Sequence, residues 1–160
     1  MRHLVRRWGG ICFLVGSVLM AGGNVLYESG LVTGSPFVHS LVLWGHGLLA
    51  AGALGLAESV VNSEIRVRVS GATVLFVFAN VLLGAGIGLL ILQSGGQITT
   101  SLDRLMGENT WLGINLLVAH YGYVIGLLLL LIPALAAAAH SNVNLYLFMA
   151  GSMLVGVGSF

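Results

Sequence analysis

The chain has 160 residues, of which 58% are hydrophobic and only 7% charged, with a net charge of +1. So few charges cannot solvate the exterior of a water-soluble domain, and a chain of this length is expected to form one helical bundle in a membrane with no second domain outside it. All six basic residues are arginines scattered along the chain, which excludes a nucleic-acid surface, and the single cysteine, Cys12, excludes an intrachain disulfide.

In chain order, Met1-Arg2-His3-Leu4-Val5-Arg6-Arg7 precedes an apolar run in the manner of a signal peptide. The run Trp8–Tyr27 is long for such a leader and no A-x-A-like site follows it, so it predicts a retained first span. Glu28–Ser35 leads to a second span, Pro36–Ala57, whose Ser35-Pro36 start reads as an N-cap and first-turn proline. Glu58–Ser70 connects to a third, Gly71–Leu92. The longest connection, Gln93–Thr110, carries Ser101–Met106 as a short amphipathic turn before the fourth span, Trp111–Ala138. Each of these four runs meets the requirement of about 20 apolar residues for a hydrocarbon core of about 30 Å, and their continuous apolar character excludes a β-barrel.

A fifth segment, Val143–Phe160, is glycine-rich and carries Asn144 near its start. Its length is at the lower edge of the spanning range; spanning is the expectation, and a short terminal helix packed on the bundle is the alternative. The expected fold is therefore all-α: a polytopic, antiparallel four-helix transmembrane bundle with a fifth C-terminal helix, in one domain over residues 1–160. Arg2, Arg6, Arg7, Arg66 and Arg68 fall on one side and only Arg104 on the other, which puts the N-terminus in the cytoplasm of a multi-pass cell-membrane protein.

Two of the five histidines, His46 and His120, lie well inside spans, whereas His3 and His140 fall at cytoplasmic ends. His46 is ten residues past Pro36 and His120 ten past Thr110. At about 1.5 Å per residue each sits roughly 15 Å along its helix, and the two helices run in the same direction. Imidazoles at one depth on parallel helices can face each other across a gap and take a haem iron between them. A membrane histidine that merely bonds a neighbouring helix is the bland alternative, although ionisable groups inside membranes are costly and mark function. Gly45 and Gly47 beside His46, and Gly122 and Gly126 after His120, leave room for a flat ligand; the four-residue spacings Gly84/Gly88 and Gly122/Gly126 equally suit helix packing. His39 and the tryptophans Trp8 and Trp111 read as interfacial, Trp44 as a packed residue, and Tyr121 and Tyr123 as core or lipid-facing, with one of them a candidate pocket residue. Gly84-Ala85-Gly86-Ile87-Gly88 has no preceding strand, so it is not a nucleotide-binding loop.

Leu43-Trp44-Gly45-His46-Gly47-Leu48-Leu49-Ala50 and Val118-Ala119-His120-Tyr121-Gly122 resemble the haem-ligand helices of haem A synthase. Asn80–Gly88 resembles that family's third helix, and Gly23–Leu31 the glycine-rich exit of its first. Typical members are built of two four-helix halves, and this chain looks like a single half, similar to the compact archaeal form. The resemblance implies oxidation of the C8 methyl of haem O to the formyl of haem A for terminal oxidases. It also implies haem b as cofactor, haem O as substrate, His46 and His120 as axial ligands, and a homo-oligomer; it leaves the electron donor unassigned. Two features depart from the family: Leu43 stands where a glutamate is common, and Glu28–Ser35 has no cysteine pair. A needed carboxylate would have to come from Glu28, the first candidate, or from Asp103 or Glu108. The rival expectations are a non-catalytic b-type cytochrome subunit, using the same histidines, and a haem-free structural subunit or small transporter.

Overall fold

The computed structural model describes residues 2–30, 32, 35–59, 63–108, 110–137 and 143–158, and the side chains within 8–30, 32, 35–58, 67–102, 104–108, 111–132 and 146–155. The described chain is helical without a strand: α1 (Arg2–Glu28), α2 (Pro36–Ser59), α3 (Ser63–Ser94), α4 (Leu102–Glu108), α5 (Thr110–Ala137) and α6 (Val143–Gly158). Four stretches are long and apolar enough to cross a membrane: Trp8–Glu28, Pro36–Glu58, Val67–Ser94 and Trp111–Ile132. The protein is an all-α polytopic bundle.

Local chemistry sets the helix ends. Ser35 caps α2, its hydroxyl accepting from the Phe37 amide at 3.3 Å, and Pro36 occupies the first turn where no amide is needed. Helix α3 closes on Gly96, whose φ of 73° is left-handed; Gln97 N–H reaches back to the Leu92 carbonyl at 2.8 Å and Gly96 N–H to Gln93 at 3.0 Å. That is a Schellman ending, which needs a residue without a Cβ penalty. Ser101 caps α4 through the Arg104 amide at 3.2 Å, and Arg104 and Glu108 pair at 2.7 Å on its exposed face.

One boundary differs from the sequence expectation. The third helix begins at Ser63 rather than Gly71, leaving only residues 60–62 between α2 and α3. No glycine or proline occurs between positions 60 and 70, so nothing stops the helix at the membrane edge. The last helix, α6, has sixteen described residues. It packs on α1 and α5, with Phe148 and Val155 buried.

The helices form a ring in which α1 lies against α2 and α6, and α3 against α2 and α5. The α1–α2 seam is glycine on glycine: a Cβ on Gly16 would stand 2.8 Å from the Gly45 carbonyl oxygen, and one on Gly45 2.9 Å from that of Gly16. Close backbone approach of this kind is how membrane helices gain contact when lipid offers no hydrophobic drive. Gly126 plays the same part against the Phe76 backbone at 3.0 Å, and Gly122 meets Leu75 and Ala79. Gly45, Gly122 and Gly126 thus serve packing, not ligand clearance; of the four glycines near the histidines, only Gly47 faces open space.

A layer of aromatic rings fills the middle. Phe148 lies 4.2 Å from Phe13, Phe13 6.0 Å from Phe76, and Phe76 5.1 Å from Tyr123, measured between ring centroids. Phe13, Phe76 and Phe148 are fully buried. Trp44, expected to pack inward, is 68% exposed on the lipid side of α2.

Candidate functional site

Helices α2 and α5 each pack on α3 but make no substantial contact with each other. The space between them, on the α4 side of the aromatic layer, is a cavity of about 290 Å³ lined by Met20, Asn24, Val42, His46, Leu83, Ile87, His120, Tyr123 and Val124. The two histidines singled out from sequence therefore line one cavity. Their helix starts fall at Pro36 and Thr110, so each histidine lies ten residues along its helix.

The two rings sit differently. His46 is 7% exposed, whereas His120 lies at the exposed rim with Tyr121 edge-on at 6.0 Å. His46 has a fixed neighbour on either side. Tyr123 meets it edge-on at 5.9 Å between centroids, and His46 Nδ1 is 2.8 Å from Asn80 Oδ1. The Asn80 amide is itself held, its Nδ2 donating to the Phe76 carbonyl at 2.8 Å. Tyr123 is buried at the cavity floor, its hydroxyl directed to Met20 Sδ at 3.5 Å.

Asn80 carried no assigned role from sequence, and Tyr123 was one of two tyrosines offered as a pocket residue. The signal for Asn80 was present: a carboxamide in the middle of an otherwise apolar span is costly without a partner, so it implies one. For Tyr123 the signal was weaker, since an aromatic in a span usually packs.

Other sequence candidates fall elsewhere. His39 is buried between α1 and α2 instead of lying open at the interface, 5.8 Å from the Tyr27 ring, and its Nδ1 has no partner among the described residues. Glu28 is exposed at the end of α1, one turn beyond Asn24. Glu108 is exposed and paired with Arg104; the Asp103 side chain, the His3 side chain and His140 lie outside the described residues. Leu43 faces a second groove, about 350 Å³, between α2 and α3, which His46 and Asn80 also border together with Gly47, Val81 and Gly84. Among the described residues no carboxylate lines either space.

The donor set suits a haem. Two imidazoles face one apolar-walled space, and His46 keeps a ring nitrogen free once Nδ1 is engaged. The volume is near the lower edge of ligand pockets, about 300–1,000 Å³, and α2 and α5 have little mutual packing to lose on parting. Among the described residues no cluster of three or more His, Cys, Asp or Glu is present, whereas a porphyrin supplies four ligands of its own and asks the protein for two. Compared with known protein families, curated proteins and solved structures, the chain finds no match.

Proposed function

We propose that the chain holds one haem between His46 and His120 and acts as a half-length haem A synthase, oxidising the C8 methyl of haem O to a formyl group. The observation that carries the haem part is the cavity shared by these two histidines on helices that make no substantial backbone contact. The choice of reaction rests on the resemblance of the His46, His120 and Asn80–Gly88 segments to that family. The haem supplies the redox chemistry when bound. His46 and His120 hold it, Tyr123 and Met20 close the floor, and Leu83, Ile87 and Val124 keep water from the site. The bundle sits in the cell membrane with its arginine-rich N-terminal end in the cytoplasm. Because one ligand pair per chain corresponds to half of the longer enzyme, the working unit is a homo-oligomer; a stable, active monomer by native mass in detergent would contradict this.

The missing carboxylate favours a second reading. With Leu43 in place of the family's glutamate and no acid among the described residues of the cavity lining, a b-type cytochrome subunit that only relays electrons uses the same site. Co-expression with a haem O source separates the two: haem A in the purified protein supports the synthase, and bound, unchanged haem supports the cytochrome. A colourless preparation with no pyridine haemochrome spectrum rejects both.

A further inference from the structure

We propose that Asn80 is a positioning residue that decides which nitrogen His46 presents to the cavity. The chain of contacts is directional. Asn80 Nδ2 donates to the Phe76 carbonyl at 2.8 Å, so turning the amide over would bring its oxygen against another oxygen in a buried place. The carbonyl oxygen Oδ1 must then face His46 Nδ1, at 2.8 Å. An amide oxygen only accepts, so the proton of the neutral ring resides on Nδ1 and the lone pair on Nε2.

The same bond fixes the ring plane. Asn80 is 1% exposed and His46 7%, so the bond between them is buried. A rotated His46 would leave the Asn80 oxygen and its own N–H unsatisfied, while Tyr123 packs edge-on at 5.9 Å. Among the described residues no comparable hydrogen bond holds His120, which lies at the rim. The site therefore has one ligand set in advance and one free to adjust. An imidazole whose Nδ1–H donates to a carbonyl oxygen is also a more basic donor through Nε2, the usual service of an outer partner to a metal-bound histidine.

The statement about the tautomer stands on the protein alone; its consequence for iron rests on the haem reading above. Both are read on the full chain in detergent, labelled with ¹⁵N-histidine and assigned by difference against His46→Ala, first without haem and then with haem b. His46 should carry its proton on Nδ1 in the wild type and in Asn80→Asp, and should populate the Nε2–H form in Asn80→Leu. With haem b, Asn80→Leu should weaken retention by about 10–100-fold and raise the midpoint potential, whereas Asn80→Asp should retain haem and lower the potential. A purely structural role would weaken both variants alike and leave the tautomer unchanged. The proposal is overturned if wild-type His46 is protonated on Nε2, or if Asn80→Leu leaves tautomer and potential at wild-type values. Should Asn80→Leu fail to fold, the opposite potential shift in Asn80→Asp carries the test. A tautomer that follows Asn80 in a protein that never takes up haem b would reject the haem reading and keep the Asn80 assignment.

Discussion

Gly45 and Gly47 flank His46 on nearly opposite sides of α2, and replacing each with alanine gives an internally controlled experiment. A Cβ on Gly45 would lie 2.9 Å from Gly16 O, 2.9 Å from Met20 N and 3.0 Å from Met20 Cβ, whereas one on Gly47 would meet nothing within 4 Å. Ordinary contact begins at 3.4 Å, so Gly45→Ala requires α1 and α2 to separate by about 3.4 − 2.9 = 0.5 Å. Such overpacking costs about 1–3 kcal/mol. Both variants share a helix-propensity gain of about 1 kcal/mol, which cancels in the comparison. Gly45→Ala should therefore be about 1–3 kcal/mol less stable than Gly47→Ala, read by equilibrium unfolding in mixed detergent micelles. Because His46 is the next residue, Gly45→Ala should also weaken haem b retention. A Gly45→Ala protein as stable as Gly47→Ala would show that the α1–α2 seam is not the close contact described and would refute the reasoning.

His46→Ala and His120→Ala should each lose the Soret band of the purified protein, while His39→Ala, outside the cavity lining, should keep it. Glu28→Gln should abolish conversion of haem O without loss of bound haem; full turnover in that variant would remove the exposed end of α1 as the source of the carboxylate. Phe13→Ala removes a fully buried ring that touches both Phe76 and Phe148. With lipid as the alternative environment only the cavity term counts, and a void of about 100 Å³ at about 24 cal/mol per Å³ gives roughly 2 kcal/mol lost on unfolding in micelles.

The spans were legible because the bilayer imposes a length, and the Ser35-Pro36 start because capping chemistry is local. The position of His46 and His120, ten residues along each helix, followed from those two facts alone. What sequence could not supply was rotation about each helix axis. Helices apolar on every side carry no marked face, so Trp44 was expected inside and lies outside, and Gly45 was offered to a ligand when it belongs to Gly16. The partnership of His46 with Asn80 is hidden for the same reason: it depends on how α2 and α3 turn toward each other across 34 residues of sequence. The early start of α3 shows a different gap, since a polar stretch without glycine or proline has no reason to unwind on leaving the membrane.

The packed rings of Phe148, Phe13, Phe76 and Tyr123 act as a bulkhead across the bundle. Beyond it the compartment opens past His120, about 15 Å along α5 and so level with acyl chains, not headgroups. On the proposed haem reading, a ligand bound for His46 would pass this exposed rim and come sideways from the oily phase.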